Sequence, residues 1–211
     1  MGRVLLLRRA DDSAGARTSG VLPVALEDAE LLAKVRAKDP RAGDLLVEHC
    51  KDHIERVLYR VLGRTQDLDD LLHDTLIAVL EGIGSLREDA RFRGWLTQVT
   101  VFVARGAIRK RRRKWWLVFT DDVPERATES DGETSEAMRA TYRVLDKLDA
   151  DERIAFALRK IEGMELTEVA AACDVSLATI KRWLARAETR FFQLAREEEA
   201  LAAWIGPEAQ S

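Results

Sequence analysis

Residues 109–114 read Arg-Lys-Arg-Arg-Arg-Lys, six consecutive cations with Trp95 before them and Trp115 and Trp116 directly after. On a helix such a run wraps positive charge around more than one face, and its self-repulsion is relieved only by an anionic partner. Aromatic rings beside arginines supply what a single strand of nucleic acid requires, flat faces for bases and cations for phosphates. The plainer alternative puts Trp95 and Trp116 in a core and leaves the bases as a solvated face.

A second group lies at residues 166–188, Leu-Thr-Glu-Val-Ala-Ala-Ala-Cys-Asp-Val-Ser-Leu-Ala-Thr-Ile-Lys-Arg-Trp-Leu-Ala-Arg-Ala-Glu. A short helix, a tight turn and a longer helix fit this pattern, which is that of a helix-turn-helix. Ala170 is small where two helices cross, Val175 and Ile180 plug the angle between them, and Ser176 is placed to cap the second helix. Asp174 stands at the turn and tolerates a left-handed backbone better than most residues. If the second helix enters a major groove, Leu177, Ala178, Thr179, Lys181 and Arg182 face base edges, and the later bases Arg186 and Arg190 reach phosphates. A tight helical hairpin with a solvated basic face is the bland alternative.

Two other clusters suggest chemistry more weakly. Asp69-Asp70-Leu-Leu-His-Asp74 has the look of a helical carboxylate motif for magnesium, as in isoprenoid synthases, but the chain supplies no second carboxylate cluster across a deep apolar cavity. His49 and His53, one turn apart beside Cys50, could bring metal ligands together, but a fourth ligand is not apparent. Cys50 and Cys173 fit small buried side chains better than ligands or a disulfide. The expectation is therefore no enzyme activity, no cofactor and no metal.

These groups need helices to position them. Ala, Leu, Glu and Arg are abundant and Gly (12) and Pro (4) scarce in 211 residues, so the chain is expected to be all-α. Residues 1–25 lack periodicity and are expected to form a mobile leader. From Leu26, apolar spacing predicts a helix carrying Leu31, Leu32 and Val35, then Asp39-Pro40 as the cap and first turn of a second helix ending near Gly63. Thr65 or Asp67 can cap a third, acidic helix that stops at Gly82-Ile83-Gly84. In the fourth, beginning near Arg93, the Val99-Thr100-Val101-Phe102-Val103 run also suits a strand, but the spacing of Phe92, Trp95, Leu96, Val99 and Val103 favours a helix.

The formal net charge of -3 conceals a sharp segregation. Residues 105–116 hold seven bases and no acid, while residues 120–136 hold seven acids and one Arg. The latter stretch also loses its apolar periodicity, and marks an acidic linker at 118–136 between helical domains at 26–117 and 137–199, followed by a tail at 200–211. That linker either shields the basic run and mimics nucleic acid, or is a solvated tether. Beyond it, Met138, Tyr142, Leu145 and Leu148 resume a helix, and residues 149–152 resemble a cap for another ending at Gly163. The N-terminal Val4-Leu5-Leu6-Leu7 run is too short for a signal-peptide core or a membrane span, so a cytoplasmic protein without membrane insertion is expected.

Together these parts resemble the small extracytoplasmic-function (ECF) sigma factors of the sigma-seventy superfamily, over roughly residues 26–196. The resemblance rests on Asp67-Leu-Asp-Asp-Leu-Leu-His-Asp-Thr-Leu76, Phe92, Trp95-Leu96, the basic run, and Thr179-Ile180-Lys181 within the helix-turn-helix. It implies that Asp67, Asp70, Leu71, Leu72, His73, Asp74 and Leu76 dock on the clamp helices of core RNA polymerase, with the polymerase flap as a further contact. It implies that Phe92, Arg93, Trp95, Gln98, Arg109, Lys110, Arg111, Arg112, Arg113 and Trp115 handle the melted minus-ten element of promoter DNA. Thr179, Lys181, Arg182 and Arg186 match the reader of the minus-thirty-five element. The chain departs from the pattern at Phe102 and Gly106, where the family often has Asn and Asp. An anti-sigma factor is a further partner that the resemblance allows. The competing readings are an ordinary helix-turn-helix regulator with an N-terminal protein-interaction domain, and a sigma mimic that sequesters an anti-sigma factor.

Overall fold

The computed structural model describes residues 24–86, 88–117 and 136–202, and every regular element among them is helical. Helices α1 (Val24–Arg36), α2 (Ala42–Leu62), α3 (Leu68–Gly82) and α4 (Phe92–Leu117) form the N-terminal half. Helices α5 (Glu136–Asp146), α6 (Ala150–Phe156), α7 (Leu166–Cys173), α8 (Leu177–Ala195) and α9 (Glu199–Ala202) form the C-terminal half. The expected leader, linker and tail lie outside the described residues, apart from positions 24–25, Glu136 and 200–202, which belong to helices.

The fourth segment is a helix despite its β-branched run. Val101 and Ala104 are fully buried and Phe102 exposed, a pattern with the period of a helix and not the alternation of a strand. Helix α2 buries the expected stripe of Leu46, Cys50, Ile54, Val57, Leu58 and Val61. It ends at Gly63, whose φ of 69° lies in the left-handed region. A side chain there would also meet the Tyr142 ring 2.7 Å away, so the glycine is required twice over.

Several caps differ from expectation. Helix α2 starts at Ala42, not at Pro40, and the Asp39 carboxylate accepts from Arg41 N at 2.8 Å within the preceding turn. Asp67 and Asp149 hold the N-cap positions of α3 and α6, yet neither side chain caps its helix. Each is bonded instead to an arginine of α4, Arg111 and Arg112 respectively, in a bond between two opposite charges.

Helix α6 continues through a π-helical segment, Ala157–Ile161, to Glu162, and Gly163 at φ 83° turns the chain into α7. One apolar cluster joins α5, α6, α8 and α9 around Phe156 and Phe191, whose rings stack at 4.7 Å. The larger cluster is continuous from the N-terminal helices into α6 and α7, so the two halves share packed surface.

That shared surface is also polar. Arg153, only 2% exposed, donates from Nε to Val61 O at 2.8 Å and from Nη2 to Leu62 O at 3.0 Å, and also bonds Asp146. Tyr142 Oη donates to Tyr59 O and Arg60 O, both at 3.1 Å. Four carbonyls at the end of α2, where the helix dipole is negative, are thus met by donors from the other half.

Candidate nucleic-acid interface

Helix α4 carries the basic run, and its arginines are largely engaged. Arg105 Nε lies 2.8 Å from Asp151 Oδ1, and its Nη2 donates to Cys173 O at 3.3 Å. Arg109 donates to Asp151 Oδ2 at 3.3 Å, Arg112 bonds Asp149, and Arg111 bonds Thr65 and donates to Asp67 Oδ2 at 2.9 Å. The Asp149 carboxyl is held below the usual carboxylate range, first by its bond to Arg112. The acids that meet this run therefore come from α6 and the turn before α3. Residues 118–135, on which the shielding idea rested, lie outside the described residues. Lys110 and Arg113 are exposed, while the side chains of Lys114, Trp115 and Trp116 are likewise outside the description.

Among the expected aromatic residues, Phe92 is taken out of reach of a base by burial. Phe92 is fully buried, near-parallel to His49 at 6.1 Å and Trp95 at 6.2 Å between ring centroids, so its ring has no face to offer a base. It fixes the start of α4 in the core. Trp95 is half-buried against the same core. Arg93 donates to the buried Asp28 of α1 at 3.2 Å, and Gln98 is half-buried.

The helix-turn-helix is built as its sequence indicates. Asp174 adopts φ 55°, ψ 49°, ending α7 in the left-handed region, and Ser176 Oγ accepts from Thr179 N at 3.2 Å to cap α8. Glu165 and Glu168 add a capping box at the start of α7. Ile180 is fully buried, Ala170 nearly so, and Val175 half-buried between the helices. Leu177, Ala178, Lys181, Arg182, Arg186 and Arg190 are exposed on α8 and Thr179 is half-buried. Arg186 pairs with Glu152 at 2.9 Å, and Arg190 lies 3.9 Å from Asp149.

Comparison with known proteins assigns both halves. Residues 46–114 match the family model of sigma-70 region 2 and residues 138–191 that of sigma-70 region 4. The ECF RNA polymerase sigma factor SigM of Mycobacterium tuberculosis is 30% identical over 168 residues, covering 79% of this chain and 84% of that protein. The chain belongs to the ECF sigma factors. The ECF RNA polymerase sigma-E factor of Escherichia coli K12 is 24% identical over 174 residues, covering 77% of this chain and 91% of that one. Among solved structures, CnrH in complex with the cytosolic domain of CnrY matches with a TM-score of 0.58 at 22% identity, over 82% of this chain and 99% of that chain. The sigma factor RpoE with the anti-sigma factor NepR from Bartonella quintana matches with a TM-score of 0.57 at 22% identity, over 75% and 99%. As a sigma factor the protein binds core RNA polymerase and directs promoter recognition and transcription initiation, which decides against the ordinary regulator.

In this ECF factor the acidic helix α3 exposes Asp69, Asp70, His73 and Asp74, whereas Leu71, Leu72 and Leu76 are half-buried and pack on the core. The apolar residues exposed there are Ile77 and Leu80, each 42% accessible. Neither was among the residues expected to dock on the polymerase. The available signal was spacing: Ile77 follows Asp70 by seven and Asp74 by three, and Leu80 follows His73 by seven and Ile77 by three, separations that share a helix face.

The two histidines of the weaker metal reading are engaged in hydrogen bonds. His49 Nε2 lies 2.6 Å from Asp28 Oδ1 and His53 Nε2 2.9 Å from Thr97 Oγ1. Burial, with Arg56 and Arg93 adding, lowers the His53 pKa to about 4. Cys50 and Cys173 are buried free thiols whose pKa values burial pushes up to about 12 and about 11. They are poor thiolate ligands at neutral pH.

Proposed function

We propose that this sigma factor divides its work among three surfaces. Helix α3 grips the polymerase clamp through Asp70, His73 and Asp74 together with Ile77 and Leu80. Helix α8 reads the minus-thirty-five duplex through Leu177, Ala178, Thr179, Lys181 and Arg182, while Arg186 and Arg190 approach phosphates. Helix α4 follows the strand opened at the minus-ten element, with Arg109, Lys110, Arg111, Arg112 and Arg113 as its cations. The observation that carries this division is the α3 stripe. Its acids repel DNA, and its exposed Ile77 and Leu80 call for a protein partner in a chain whose other two exposed surfaces are basic.

Transcription in vitro with purified core polymerase tests the reading. The wild-type chain is expected to support initiation, and Asp70→Lys with Asp74→Lys to abolish core binding while region 4 still binds duplex DNA. Unchanged core affinity in that double variant removes α3 as the docking surface. The factor works beside the polymerase in the cytoplasm, where its two reduced thiols are at home. An anti-sigma factor is the further partner, supported by the similar solved structure of the sigma factor RpoE in complex with the anti-sigma factor NepR.

A further inference from the structure

Phe92 is withdrawn into the core, but another ring of α4 stands in the open. Phe102 is 72% exposed in the middle of α4, the most exposed large apolar side chain among the described residues. One turn on is Gly106, and two turns back Gly94; nothing lies within 4 Å of where a Cβ would stand at either. A glycine inside a helix weakens it, and here leaves bare backbone on both sides of the ring. At 100° per residue, Arg109 and Arg113 fall within about 20° of Phe102 on the helix face. The result is one flat aromatic surface, room beside it, and cations farther along the same face.

We propose that Phe102 is the stacking platform for an unpaired base of the opened promoter strand, with Gly106 leaving space for the base and Arg109 and Arg113 following the phosphates. Stacking needs only a π-face and tolerates any base, whereas an amide or carboxylate at these two positions reads hydrogen bonds. This chain should therefore hold its melted strand more by stacking and less by base identity. The proposal rests on the sigma-factor reading of α4 and deepens it.

The test uses the full chain and two single strands of equal length, oligothymidine and an abasic strand with the same phosphates. Wild type is expected to prefer oligothymidine by about tenfold, as one stacked base gives. Phe102→Ala should erase that preference without weakening abasic-strand binding, Phe102→Trp should restore it, and Gly106→Val should reduce it. A preference that survives Phe102→Ala, or is absent from wild type, overturns the proposal. So does loss of core-polymerase affinity in Phe102→Ala, which would make the ring a protein contact. Factor-dependent initiation by wild type, measured alongside, separates this failure from failure of the sigma-factor reading.

Discussion

Helices α4 and α8 are both basic and both face nucleic acid in the proposed mechanism, yet their cations live differently. On α4, four arginines are bonded to acids or to backbone from α3's turn, α6 and α7. On α8, Lys181 and Arg182 are exposed and join no ion pair among the described residues. The cations of α4 nearest the other half are thus occupied, whereas those at the start of α8 are open, although Arg186 and Arg190 farther along α8 meet Glu152 and Asp149. Charge content alone does not define a binding surface; what stands opposite the charge does.

The largest test of this contrast loosens the junction between the halves. Arg153→Met keeps an apolar stem but leaves the carbonyls of Val61 and Leu62 without their donor. A loss of about 3 kcal/mol in denaturant unfolding is expected, with region 2 and region 4 then melting separately. A single unchanged transition would show that the junction contributes little. Gly63→Ala should cost about 2 kcal/mol, because its φ is positive and its new methyl meets the Tyr142 ring. Adding Tyr142→Ala should recover only the steric part.

Acid should discriminate between the halves as well. All three histidines precede residue 74, so only region 2 carries this titration. His53 titrates near 6.5 when unfolded and about 4 when folded. Protons therefore bind the unfolded chain first: the stability is complete above about pH 6.5 and declines as pH falls toward 4. The decline should be about 2 kcal/mol after allowance for partial exposure, and His53→Gln should flatten it in a urea titration series. The smallest effect separates α8 from α4 directly. Lys181→Ala should weaken duplex binding of the free chain by about 1 kcal/mol and reduce the salt slope by about one, while Arg111→Ala should leave both unchanged.

Much of this was legible in local sequence because the signals were local. Ser176 caps α8, Asp174 turns left-handed and Ile180 is buried because a helix-turn-helix fixes these within a dozen residues. The apolar stripe of α2 was equally readable from its period. Harder were residues whose role depends on a distant partner. Asp67 and Asp149 sit at helix starts as caps should, and only the packing of α4 shows that arginines claim them. Phe92 falls on the apolar stripe of α4 and Phe102 off it, but only the packing shows that Phe92 is fully enclosed and that nothing covers Phe102.

By itself, then, the sequence determined the helical class, the helix-turn-helix and the two-region family, since periodicity, caps and motif order are properties of neighbouring residues. Tertiary structure decided which cations are free, which ring is exposed and which carboxylates meet α4. Those depend on groups 37 to 68 residues apart brought within hydrogen-bonding distance, a relation that no local pattern encodes.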